Sequence, residues 1–148
     1  NYKVKPPLRS MTDVAALKLA LADGTIDAVC SDHSPQDEET KMVEFDFASY
    51  GIAGIETTFS ALRTSCPDLP VVRLVEVLGN GPRRVLGLNE IQIKEGSMAC
   101  LTIFHPDMEH IPARENSASL SHNNPLIGAK LRGKVLGVVN NGQAELFI

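Results

Sequence analysis

Residues 24–35 read GTIDAVCSDHSP. Ile26, Ala28, Val29 and Cys30 form a short, nearly unbroken apolar run. Such a run suits a strand covered on both faces, as parallel sheets require. Just upstream, Val14, Ala16, Leu17 and Leu21 fall on one stripe of a 3.6-residue period, so Asp13–Ala22 reads as a helix. Ser10 or Thr12 can cap its start, and Gly24 can end it. Thr12–Asp32 is thus expected to be helix, glycine turn and buried strand, half of an α/β repeat, with the strand running from Ile26 to Ser31. Asp32 then stands at the C-terminal end of that strand, where α/β barrels place catalytic groups. A carboxylate there can bind a metal or accept a proton from metal-bound water. Asp and Ser also stabilise turns, so the local residues leave a plain turn open as well.

Working outward, Lys3–Arg9 holds Pro6 and Pro7, which forbid helix and push Lys5 towards extended geometry. Residues His33–Tyr50 are polar and irregular, and a loop of this length in a compact domain is usually functional or disordered. Within it, Asp37, Glu38 and Glu39 read as a solvated helix start, with Lys41 as counter-charge. Gly51–Thr64 carries Ile52, Ile55, Phe59 and Leu62 on one helical face, and Pro70–Leu78 is a second short helix. Asn80–Leu86 is expected to be a third, with Pro82 in its first turn. Near Leu88 the texture changes. NEIQIKEGSMACLTIFHP alternates and then turns apolar, as strands do, whereas Met108–Pro125 is polar and weakly patterned. LRGKVLGVVNNGQAELFI reads as a hairpin about Asn141-Gly142. The expected organisation is therefore α/β over residues 1–87 and β over residues 88–148.

Composition narrows the function. The 148 residues are 43% hydrophobic and 22% charged, with a net charge of −4, a globular profile. No Lys/Arg cluster suits nucleic acid, and no apolar run approaches the roughly 20 residues that span a bilayer. Cys30, Cys66 and Cys100 form no CxxC pair and are expected to be small buried hydrophobes in a reducing compartment. His33 reads as a tie between loop and strand end. His105, His110 and His122 have no ligand spacing and are expected to be solvated or capping, and Arg9 to form a rim salt bridge. The chain opens at Asn1 without a methionine, which suggests a portion of a longer protein.

KVKPPLR, then DGTIDAVCSDHSPQDEETKMVEFDFASYGIAGIET, resembles the dihydroorotases of the amidohydrolase superfamily. Their late-barrel pattern is similar to KVNPPLR, DGTIDxIxTDHAPH, EEK, xEFD and FGIxGLET. The later GLNEIQIKEGSMACLTIFHP is similar to that family's return into a small β-sandwich. The resemblance implies the last part of a (β/α)8 TIM-like barrel over residues 1–87 and the C-terminal part of a β-sandwich over 88–148. It implies a zinc-dependent hydrolase of pyrimidine biosynthesis that interconverts dihydroorotate and N-carbamoyl-L-aspartate in the cytoplasm. Asp32 falls on the catalytic and metal-binding aspartate. Lys5, Gln36, Tyr50 and Gly51 fall on substrate-binding positions. Two of these depart from the pattern: lysine stands for asparagine at Lys5, and glutamine for histidine at Gln36. The other zinc ligands of the family have no counterpart in this chain, so the chain alone is expected to be inactive. Homo-oligomers and aspartate carbamoyltransferase are the implied partners, with nucleic acid and membrane excluded. A non-catalytic subunit partnering the carbamoyltransferase, and an allantoinase- or hydantoinase-type hydrolase, stay open as alternatives; SDHSP itself is slightly allantoinase-like.

Overall fold

The structure is a computed structural model that describes residues 2–147. Helix α1, Met11–Asp23, begins at Ser10. The Ser10 hydroxyl accepts from the Asp13 amide while the Asp13 carboxylate accepts from the Ser10 amide, a reciprocal cap. Gly24 closes the helix at φ 93°. Arg9 pairs with Asp13 at 3.2 Å on the surface.

The segment Ile26–Ser31 is not a strand, contrary to expectation. Part of its backbone is held by helices. The Ile26 amide donates to Ala20 O (3.1 Å), the Val29 amide donates to Val77 O (2.8 Å), and Arg73 donates to Ile26 O. A ladder needs a neighbouring extended chain with free amides and carbonyls. Among the described residues the one parallel pairing nearby is a single bridge, His33 with Ile52. The apolar run still has a use: Ile26 and Val29 pack on a core of Leu21, Leu69, Leu74 and Val77. Leu74 and Val77 are fully buried, each worth about 1.5–3 kcal/mol. Cys66 joins this core, but Cys30 and Cys100 are exposed, correcting their expected burial, because no described element covers them.

Helix α2 is one turn, Glu38–Lys41. The expected helix from Gly51 starts later: a 3₁₀ turn, Ile55–Thr57, leads into α3, Thr58–Ser65. The two helices expected after Pro70 are one run. α4, Val71–Val75, passes through a π-helical turn, Glu76–Asn80, into α5, Gly81–Val85. Leu88–Cys100 holds no strand, and the β-structure begins at Leu101. Strands β1 (Leu101–His110), β2 (Leu131–Asn140) and β3 (Gln143–Leu146) form an antiparallel sheet in that order. Asn141-Gly142 makes the β2–β3 turn, as its residue types require. β1 runs on into residues 108–110, which alternation did not reveal, because its register is interrupted between His105 and Glu109. Pro106 has no amide to offer there, and His105 Nδ1 accepts from the amides of Asp107 (3.2 Å) and Met108 (3.0 Å).

The sheet lies on α3. The rings of Phe59 and Phe104 sit 4.8 Å apart in a tilted pair. Gly133 has φ 90°, and a Cβ there would stand 2.9 Å from Phe59 Cε1, so only glycine lets β2 approach this closely. Buried Arg63 donates to the carbonyls of Pro67 (2.7 Å), Leu69 (3.2 Å) and Pro106 (3.2 Å) and pairs with Asp107 at 2.9 Å. Arg63, and then Arg132, hold the Asp107 carboxyl below the usual range. His110 is not solvated: its Nε2 lies 2.9 Å from Ser60 Oγ and 3.1 Å from Gly133 O. Burial pushes its imidazole below the ordinary histidine value.

Candidate functional site

Asp32 is exposed and sits in the left-handed region at φ 45°, which Asp and Asn tolerate better than most residues. His33 follows it and ties the loop down: Nδ1 accepts from the Ile55 amide at 3.3 Å. The chain then enters a polar cradle of three segments, residues 34–36, 49–51 and 121–123.

Gly51 is the centre of that cradle. Its amide donates to Lys3 O (3.0 Å), and its carbonyl accepts from Lys41 Nζ (3.0 Å) and Asn123 Nδ2 (3.1 Å). Its φ is 126°, and a Cβ would fall 2.5 Å from Ser34 Oγ and 2.7 Å from Ser34 O. No side chain fits without moving the backbone of the 34–36 loop. Asn123 is buried and bridges the loops: Nδ2 also donates to Ser34 O (3.2 Å), and Oδ1 accepts from the Gln36 amide (3.3 Å). Ser121 Oγ lies 2.6 Å from Gln36 O. Buried polar groups of this kind are stable only when paired, and Asn123 and Ser121 have their partners, whereas the Nδ1 of His122 between them is buried without one among the described residues, so His122 is not the solvated residue expected.

Lys41 is not a surface counter-charge for the acidic run. It is buried, and its ammonium donates to Ser49 O (2.8 Å), Gly51 O (3.0 Å) and Lys3 O (3.4 Å). Burial, and then the nearby Lys3 charge, hold it below the ordinary lysine range. Lys3 Nζ donates to Asp46 O (2.8 Å) and lies 4.8 Å from the Tyr50 ring centre and 5.3 Å from that of Phe45, a cation–π arrangement.

Of the residues singled out by sequence, Gln36 and Gly51 are joined through Asn123, and Tyr50 sits beside Gly51. Lys5 is exposed, two residues from the Lys3 carbonyl that binds Gly51. Gln36 directs its side-chain amide to Ser34 Oγ at 3.2 Å. Lys3, Lys41, Ser121 and Asn123 escaped sequence reasoning. Their signal is weak, because a polar residue in a polar loop looks solvated until its distant partner is known. A cleft of about 950 Å³ lies elsewhere, between the Ile55–Ser60 segment, the sheet and residues 111–127.

Among the described residues no three His, Cys, Asp or Glu side chains gather into a metal-binding group. Asp32 offers one carboxylate where zinc takes about four ligands, so these residues alone do not fit a zinc centre. No described helix is long and apolar enough to cross a membrane.

The family model of the amidohydrolases matches residues 4–144. The chain is 40% identical over 146 residues to a dihydroorotase of Chlorobaculum tepidum, covering 97% of this chain and 33% of that protein. It is 38% identical over 149 residues to a dihydroorotase of Elusimicrobium minutum, covering 99% of this chain and 34% of that protein. Among solved structures it is similar to a D-hydantoinase (dihydropyrimidinase) from Thermus sp., with TM-score 0.85, 27% identity, and coverage of 98% of this chain and 33% of the other. An L-hydantoinase from Arthrobacter aurescens gives TM-score 0.85 and 27% identity over 99% of this chain and 35% of the other. The chain thus spans about a third of the length of the relatives it matches. A family match over nearly every residue, on a backbone shared with solved hydantoinases, places this chain in the amidohydrolase family.

Proposed function

We propose that these residues form the late part of a dihydroorotase-type hydrolase that interconverts dihydroorotate and N-carbamoyl-L-aspartate in pyrimidine biosynthesis. The observation that carries this reading is the 40% identity to a dihydroorotase across 97% of the chain. Residues 1–87 would close a (β/α)8 barrel and residues 88–148 would belong to a β-sandwich. Helices before Leu88 and an antiparallel sheet after Leu101 support that division.

In this reading Asp32 is the catalytic group. As water adds to the ring carbonyl, its carboxylate takes the proton; as the C–N bond breaks, it returns that proton to the leaving ring nitrogen. Its exposed position just before the cradle supports the role. Asp32 is also the one position these residues offer to the zinc that the resemblance implies. Tyr50 would face the substrate through its backbone, while Gly51, whose amide and carbonyl are engaged by Lys3, Lys41 and Asn123, would hold that peptide in place, with Lys5 and Gln36 nearby. Homo-oligomers belong to the same reading, and so does a cytoplasmic setting, with which three free thiols agree.

One observation favours a second reading. Gln36 spends its amide on Ser34, and it brings no positive charge for an anionic substrate. A non-catalytic subunit that supports aspartate carbamoyltransferase would tolerate this. Ring opening of dihydroorotate by the full-length gene product, followed by absorbance, separates the two. Turnover that Asp32→Asn abolishes upholds the hydrolase. Turnover of hydantoin or allantoin in its place moves the substrate assignment. No turnover, with co-purification of the carbamoyltransferase, selects the second reading.

A further inference from the structure

We propose that Lys41 is a positioning residue that couples the two substrate-facing segments, Lys3–Lys5 and Ser49–Gly51, into one unit. The inference rests on the hydrolase reading for its consequence, though the coupling itself is geometric. Three carbonyls from two segments converge on one buried ammonium: Lys3 O at 3.4 Å, Ser49 O at 2.8 Å and Gly51 O at 3.0 Å. Lysine suits this task, since its three donors rotate on a compact charge and match three acceptors at once.

The Gly51 amide closes the same unit by donating to Lys3 O. Asn123 holds Gly51 O from the other side. The Tyr50-Gly51 peptide, flanked by these anchors, is therefore fixed relative to both Lys5 and Ser34. Without Lys41 the Ser49 carbonyl loses this buried donor, and the 49–51 turn is left tied by the Ser49 amide on Thr40 O, the Gly51 amide on Lys3 O and Asn123. A turn that must be ordered on binding lowers affinity, whereas a proton transfer at Asp32, on a different segment, is untouched once substrate is in place.

The test uses Lys41→Met and Lys41→Arg in the full-length gene product, with KM and kcat for dihydroorotate and hydrogen exchange at the Gly51 amide. Lys41→Met is expected to raise KM on the order of tenfold or more, the usual size of a lost charge-assisted hydrogen bond. kcat should stay within about threefold. Lys41→Arg should fall between the two, because a longer planar fork keeps the charge but sets its donors in directions fixed differently from those of a compact ammonium. Gly51 exchange should speed up in Lys41→Met, while the Val29 amide, bound to Val77 O in the core, stays protected as an internal control. Unchanged KM with unchanged Gly51 exchange overturns the proposal, and so does a fall confined to kcat. If Lys41→Met does not fold, Lys41→Arg decides: a several-fold KM rise at constant kcat upholds the role, and wild-type KM overturns it. If the wild type opens no dihydroorotate, the hydrolase reading fails, and Gly51 exchange judges Lys41 by itself.

Discussion

The cradle about Gly51 and the segment Ile26–Asp32 are neighbours in sequence and opposites in physics. In the cradle, polar and charged groups are buried, yet Lys41 and Asn123 each find partners within this chain. In Ile26–Asp32, an apolar run that should be covered is half open, with Cys30 exposed and no ladder formed. The polar region is closed because its bonds are made by loops that all lie in these residues. The apolar region needs flanking strands, which no described segment supplies. The geometry around Gly51 is therefore a property of this chain, whereas the setting of Asp32 depends on what covers its segment.

The largest expected effect falls on the open region. Asp32→Asn in the full-length gene product should lower the rate of dihydroorotate ring opening by about 10²–10⁴-fold, the usual contribution of a proton-carrying carboxylate. Asparagine tolerates φ 45° nearly as well as aspartate, so the fold should hold. Equal rates would remove Asp32 from the chemistry. In the closed region, Gly51→Ala adds backbone strain at φ 126° and a clash with Ser34. Together these should cost about 3 kcal/mol, read as a lower denaturant midpoint and faster amide exchange across residues 34–36 and 49–51. A variant of wild-type stability would show that the two loops are not held together.

A smaller effect should appear at the seam between α3 and the sheet. The folded-state pKa of His110 lies below its ordinary 6.5, so the unfolded chain binds the proton more readily. The contribution of a neutral, packed His110 is present above about pH 6.5 and is lost as pH falls through the folded value. Thermal midpoints of wild type and His110→Asn, compared at pH 7.5 and 5.5, should differ less at the lower pH; a constant difference would contradict the burial. The smallest effect belongs to the open segment again. Cys30→Ser should change stability by less than about 0.5 kcal/mol, because an exposed thiol packs against little. Cys30 and Cys100 should also react with a thiol reagent faster than half-buried Cys66. A cost above 1 kcal/mol for Cys30→Ser would mean that its face is covered after all.

What the sequence determined by itself is written within a few residues of each feature. Helix α1 starts at Ser10 and stops at Gly24 because cap and terminator are local chemistry. The β2–β3 hairpin follows from Asn141-Gly142, and family membership from motifs in order along the chain. What only the tertiary structure decided involves partners far apart. Whether Ile26–Ser31 becomes a strand depends on neighbours, and here the amides of Ile26 and Val29 go to helices. Lys41 reads as a surface charge until carbonyls 38, 8 and 10 residues away surround it. Asn123 meets Gln36 across 87 residues, a separation at which no local pattern leaves a mark. Periodicity and caps report the short-range preferences of the backbone, whereas the burial of a charge or the pairing of a strand is settled by what folding brings against it.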